Sequence, residues 1–214
     1  MEQIRNIIFD LGGVILNIDF DRAADAFRNL GLKDFEQLYS KAVQSDLFDM
    51  LEKGKIKEQD FRQEMRKLSG IKMSDAEIDA AWNALLLDFP PARLQLLQDL
   101  KKHYRTFLLS NTNRIHADSY NQDLRENHSI DGLEALFEKV YYSHDIGLRK
   151  PAADSFELVL RDAGLQAAET LFIDDSLPNI EAAGQLGMQT LYIDLNKGAE
   201  LTDYFTNGQY RGDE

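Results

Sequence analysis

Five short apolar runs punctuate the chain, at residues 6–10, 105–110, 139–143, 170–174 and 189–193. Each is rich in Ile, Val, Leu, Phe or Tyr and bounded by turn formers or charges, the pattern of buried strands. Between the later runs the apolar positions change to helical spacing. Leu94, Leu97 and Leu100 line one face of 91–103, Phe156, Val159 and Leu160 line 152–163 before Gly164, and a third pattern fills 178–186 before Gly187. Helices that end at glycine and alternate with strands predict a doubly wound α/β fold, a parallel sheet with helices on both faces.

Residues 19 to 88 break the alternation with four helical patterns in a row and no strand. Phe27 and Leu30 precede Gly31; Phe35, Leu38, Leu47 and Leu51 precede Gly54; Phe61, Met65 and Leu68 precede Gly70. The fourth opens on Ser74 and Glu77, a capping-box pair, and carries Ile78, Ala81, Trp82 and Leu85 on one face. Pro90 and Pro91 close the segment. The expected organisation is therefore an α/β core from residues 1–18 and 90–214, with a helical cap inserted at 19–89.

Composition narrows the function. The 214 residues are 43% hydrophobic, enough for a substantial core, and carry 24 Lys+Arg against 37 Asp+Glu, a net charge of −13. That balance argues against nucleic acid or an anionic membrane as partner. With no cysteine, thiolate ligands and cysteine nucleophiles are excluded, in keeping with a reducing compartment. Ile7-Ile8-Phe9, near the N-terminus, is too short for a signal-peptide core or a membrane span. The expectation is a cytoplasmic protein.

Polar residues gather where four of the strands end, the rim at which open parallel sheets place ligands. They are Asp10 with Gly12 and Gly13, the run from Ser110 to Asn113, the loop Gly147-Leu148-Arg149-Lys150-Pro151, and Asp174-Asp175-Ser176. Singly, each has a bland reading as a turn residue, helix cap or surface lysine. Together they put carboxylates, a hydroxyl and a lysine on one rim. Clustered carboxylates repel unless a cation sits among them, and an all-oxygen donor set suits Mg²⁺. A hard cation and anion donors around a carboxylate nucleophile are the equipment of phosphoryl transfer.

These four segments, in this order, resemble the motifs of the haloacid dehalogenase-like hydrolase superfamily over essentially the whole chain. The double aspartate resembles the subgroup that includes the phosphatase domain of soluble epoxide hydrolases. Asp10-Leu11-Gly12, Asp19-Phe20-Asp21-Arg22, Ser110 to Arg114 and Gly147 to Pro151 are similar to the bacterial α-D-glucose-1-phosphatases. The resemblance implies a sheet in the order 3-2-1-4-5 and a magnesium-dependent phosphatase acting on a small phosphorylated metabolite, glucose 1-phosphate first. It implies Asp10 as nucleophile and metal ligand, with Asp175 and the Gly12 carbonyl as further ligands. Asp174 would orient metal-bound water, and Asn179, one helical turn beyond Asp175, would stand behind the ligands as a supporting partner. Ser110 and the Asn111 N–H would hold the phosphoryl oxygens, and Lys150 would offset their charge together with that of Asp10.

One position departs from the superfamily. Most of its phosphatases carry a second aspartate two residues after the nucleophile, as acid for the leaving group; here that residue is Gly12. The rival reading is a protein that binds phosphate without turning it over. A dehalogenase needs no metal, so the retained Asp174-Asp175 pair speaks against one. Trp82 and the Phe27, Phe35 and Phe61 series read as cap core, the four histidines as surface or helix-end residues with His116 near enough to the second motif to watch, and Asp19 and Asp21 as helix caps or site residues.

Overall fold

The computed structural model describes residues 3–32, 35, 39 and 46–212. Its centre is a five-stranded parallel sheet of β1 (Asn6–Phe9), β2 (Arg105–Ser110), β3 (Lys139–Tyr142), β4 (Thr170–Asp174) and β5 (Gln189–Tyr192), in the order β3-β2-β1-β4-β5. Every strand expected from the sequence is present to within one residue. Continuous apolar runs form these strands because both faces are covered. Ile7 and Phe9 point to one face, where Leu97 and Leu100 of α5 (Pro91–Leu100) and Leu124 of α6 (Arg114–His128) pack. Ile8 points to the other, against Phe156 and Val159 of α8 (Ala153–Asp162) and Ala183 of α9 (Leu177–Gln185).

From β1 the chain builds outward through β2 and β3, then crosses back to place β4 on the other side of β1. The strand order therefore reverses between β1 and β4, where loops diverge and leave a crevice. Register aligns the ends: Phe9 pairs with both Leu108 and Ile173. Asp10 thus emerges beside Asp174 because both directly follow the last β1–β4 pair, Phe9 with Ile173.

Four helices lie between β1 and α5 among the described residues: α1 (Phe20–Asn29), α2 (Leu47–Glu52), α3 (Glu58–Ser69) and α4 (Asp75–Asn83). They share an apolar cluster of their own in which Phe27, Leu51, Phe61, Met65, Ile78 and Trp82 are buried. Ser74 and Glu77 form the expected capping box at the start of α4. Leu38 lies outside the described residues. At the root of the segment, Ile18 and Leu86 form an antiparallel bridge, and the backbone of Asn17 bonds to Leu87 and Asp88. Arg93, almost fully buried, holds this root to the C-terminal region, bonding to Asn17 Oδ1 at 3.0 Å and Glu200 at 2.8 Å.

The structure adds elements the pattern did not predict. The longest is α6, 15 residues with a narrow apolar stripe of Ile115, Ala117, Tyr120 and Leu124. A one-turn helix α7 (Ser143–Ile146) follows β3, and residues 205–206 pair with 209–210 in a short antiparallel ribbon, β6 and β7. Among the described residues, no helix is long and apolar enough to cross a membrane.

Candidate active site

Lys150 organises the rim. It leaves the loop after α7, is 1% exposed, and places its ammonium 2.7 Å from Asp10 Oδ1 and 2.7 Å from Asp174 Oδ2. Its backbone is held as firmly: Asn111 receives the Lys150 N–H at 2.9 Å and donates its amide to the Lys150 carbonyl at 2.9 Å. Beside this pair, Ser143 accepts from the Thr112 N–H and donates to the Thr112 carbonyl, both at 2.9 Å. The ends of β2 and β3 are thereby tied together, with Ser110 buried at the tip of β2.

Asp174 is completely buried and fully engaged. Its Oδ1 accepts from the Ser176 N–H at 2.8 Å and from Asn179 at 3.1 Å, and its Oδ2 from Asn179 at 3.0 Å and from Lys150. Asn179 reaches it because α9 begins directly after the double aspartate. Asp175 differs: it makes no ion pair among the described residues. Oxygens of Asp10, Asp174 and Asp175 nonetheless lie within 4.8 Å of one another.

Three carboxylates share one ammonium, so the site is short of positive charge. Burial pushes the Asp10 carboxyl up to about 7, with Lys150 opposing the rise and Asp174 and Asp175 adding to it. Burial, then Asp174, carries Asp175 up to about 6 against the pull of Lys150. For Lys150, burial favours the neutral form, but the two carboxylates outweigh it and raise its pKa. An all-oxygen cluster with two carboxyls held above their ordinary range by burial and mutual repulsion fits a hard divalent cation.

Two glycines keep the centre open. Gly13 has φ +76°, and a Cβ there would lie 2.3 Å from Asp175 Oδ2, so any other residue at this turn would have to displace that carboxylate. At Gly12 the sole close neighbour of an added Cβ is the flexible Ile18 side chain, at 3.0 Å.

A cavity of about 910 Å³ opens beside Gly12, Ser110 and Asn111 and runs beneath α1, α2 and α4 to Trp82 and His116. Arg149 spans its edge, 3.0 Å from Glu52 and 3.4 Å from Asp49 on α2. The structure thus brings together Asp10, Asp174, Asp175, Lys150 and Asn179, with Ser110, Asn111 and Gly12 on the adjoining wall. Asp19 caps α1 through the Asp21 N–H, while Asp21 faces the cavity. Trp82 belongs to the apolar cluster of the insert and also lines the cavity. Of the two readings offered for His116, surface or helix-end, the structure gives the helix end: it is the third residue of α6, 7% exposed and stacked on Trp82. The His144 side chain is likewise 7% exposed. Sequence reasoning missed the Arg149 bridge and the Asn111 side-chain clamp. The clamp's only signal was an Asn on the loop facing the lysine.

A Rossmann-like sheet that gathers a buried lysine and three carboxylates at its switch point defines a hydrolase of the phosphoryl-transfer type. The particular family follows from comparison: the haloacid dehalogenase-like hydrolase model matches residues 4–187, and the chain belongs to that family. It is 35% identical to a D-ribitol-5-phosphate phosphatase of Bacteroides thetaiotaomicron over 188 residues, 88% of this chain and 91% of that protein. A sesquiterpene phosphatase of Aspergillus oryzae is 31% identical over 87% of this chain and 88% of its own. Among solved structures, a family enzyme of B. thetaiotaomicron in complex with magnesium and inorganic phosphate superposes with a TM-score of 0.83 at 36% identity, covering 95% of this chain and all of that one.

Proposed function

We propose that this protein is a magnesium-dependent phosphomonoesterase for a small sugar or sugar-alcohol phosphate, working through an aspartyl-phosphate on Asp10. The observation that carries the reading is Lys150, fully buried and bonded at once to Asp10 and Asp174. A lysine so placed favours the ionised form of Asp10 against the effect of burial and aims the carboxylate, and its charge offsets that of an incoming phosphoryl group. Magnesium, where bound, would supply further positive charge to the phosphoryl oxygens. Asp10, Asp175 and the Gly12 carbonyl are the residues assigned to hold it. Asp174 has both oxygens engaged by Lys150, Asn179 and Ser176, which supports an orienting role.

In the first step an Asp10 oxygen attacks phosphorus and the bond to the leaving oxygen breaks. Ser110 and the Asn111 N–H steady the transferring oxygens. Water then cleaves the acyl phosphate, freeing phosphate and restoring Asp10. With glycine at position 12, the departing oxygen takes its proton from solvent or leaves as the anion. Residues 19–89 act as a cap that excludes bulk water and shapes the organic half of the site.

The ribitol-phosphate phosphatase relative favours a polyol phosphate, and the likeness to glucose-1-phosphatases and their double-aspartate subgroup keeps an anomeric sugar phosphate beside it. Purified protein is to be assayed for phosphate release from both, with and without Mg²⁺, alongside Asp10→Asn. Magnesium-dependent release that Asp10→Asn abolishes is the expected result. Wild-type activity in that variant refutes the mechanism, and phosphate binding without release supports the rival reading.

A further inference from the structure

His116 lies on the third residue of α6, directly beyond the Ser110–Asn113 loop, yet nothing in the phosphoryl chemistry uses it. Its ring lines the cavity with one face against Trp82, centroids 5.1 Å apart, and Trp82 stacks in turn on Phe48 at 5.0 Å. Nδ1 is 2.8 Å from Asn83 Oδ1 at the end of α4. A carboxamide oxygen can only accept, so with the amide in this orientation Nδ1 carries the proton and Nε2 keeps its lone pair. Burial pulls the His116 pKa down to about 3, which keeps the ring neutral across the physiological range. Nε2 has no partner among the described residues.

The charges on the same wall point the same way. Asp21, Asp46, Asp49 and Glu52 face the cavity against Arg28 and Arg149. Arg149 is committed to Asp49 and Glu52, and Arg28 to Asp25 at 2.7 Å. A second anionic group on the substrate would therefore meet excess negative charge in a confined space.

We infer that Nε2 of His116 accepts a hydrogen bond from a hydroxyl of the leaving group, so that the cavity selects an uncharged, hydroxylated organic group over an anionic one. The inference rests on the phosphatase reading and extends it to substrate class. An acceptor that would otherwise lie buried and unpaired discriminates strongly against substrates that lack the donor. Asn83 is the positioning residue, since it sets the tautomer.

The test compares kcat/KM for ribitol 5-phosphate with that for phenyl phosphate, whose leaving group offers no hydroxyl donor in the bound ester. His116→Phe keeps a flat ring against Trp82 and deletes the acceptor. The ratio of the two values should fall about tenfold, mainly through KM for the polyol ester. Asn83→Ala, which leaves the ring but releases its tautomer, should lower the same ratio by a smaller factor and remains informative if His116→Phe does not fold. Wild-type enzyme should also prefer glycerol 3-phosphate to 3-phosphoglycerate, which carries an added carboxylate. Ratios within twofold of wild type in the folded variants, or a preference for phosphoglycerate, overturn the inference while leaving the phosphatase reading intact. No Mg²⁺-dependent turnover of any of these esters overturns both.

Discussion

Gly13→Ala separates backbone strain from damage to the carboxylate centre. The added methyl would lie 2.3 Å from Asp175 Oδ2, 2.7 Å from its Cγ and 3.0 Å from Leu195 Cδ1. Side-chain carbons essentially never approach heavy atoms closer than 3.0 Å, so the carboxylate must retreat by at least about 0.7 Å. The left-handed φ of +76° adds strain of its own, about 1–2 kcal/mol for a residue with a Cβ. Catalytic groups must sit within about 0.5 Å of their productive positions, and misplacement by about 1 Å costs on the order of 100-fold. Turnover of a phosphate ester against Mg²⁺ concentration should therefore show kcat/KM reduced roughly 10- to 100-fold, with a raised Mg²⁺ requirement. Gly164→Ala is the control, since it has φ +64° with nothing within 4 Å of the added carbon. It should lose comparable stability and keep its Mg²⁺ dependence. If Gly13→Ala loses only stability, as the control does, then displacing the Asp175 carboxylate leaves Mg²⁺ use unchanged and its assignment as a metal ligand is refuted.

Asp174→Asn should weaken Mg²⁺ binding about 10- to 100-fold, as for a residue that orients ligands, and Asp175→Asn should weaken it more; equal losses in calorimetric titration contradict the division of labour. Across aryl phosphates of similar size, single-turnover formation of the aspartyl-phosphate should slow as leaving-group pKa rises, and Gly12→Asp should flatten the slope, because only the Ile18 side chain crowds an added Cβ there. A flat wild-type slope means that another group already donates the proton. For metal-free protein, carboxyls raised to about 7 and about 6 bind more protons folded than unfolded. Their contribution to stability is therefore complete below the unfolded carboxylate range and lost as pH rises through 6 and 7. Thermal midpoints should accordingly gain more from Mg²⁺ at about pH 8 than at about pH 5, where protons compete for the same oxygens; an equal gain at both contradicts the cluster's role.

What the sequence made legible follows from burial. Strands covered on both faces must be apolar throughout, so Ile7-Ile8-Phe9 and Leu171-Phe172-Ile173 announce themselves, and the polar residues at their ends mark the rim. The helix Arg114–His128 was hidden because only a thin apolar stripe of it is buried, and its remaining positions are polar. Its cap is Asn113, whose side chain accepts the His116 N–H, not Ser110, the helix-cap candidate in this run. Arg149 and His116 were obscure for another reason: their partners Asp49, Glu52 and Asn83 lie on the insert, 100, 97 and 33 residues away. No local pattern encodes a contact made across that span.

This separation has a chemical consequence. The groups proposed to handle phosphate come from loops anchored to strand ends and cross-tied by Asn111, Ser143 and Asn179, so their positions are fixed by the same ladders that stabilise the sheet. The surface proposed to meet the organic group is made largely by the insert, which has an apolar cluster shared with Ile115 and is tied to the rest of the chain at Ile18 and Leu86, through Arg149 and through His116. A change at Phe48, Trp82 or Asn83 can therefore reshape the far end of the cavity without disturbing Lys150 or the aspartates. His116 stands on the boundary, rooted in the sheet's loop by Asn113 and oriented by the insert through Asn83. A residue held from both sides couples the two parts: its backbone follows the sheet's loop, while its ring follows α4.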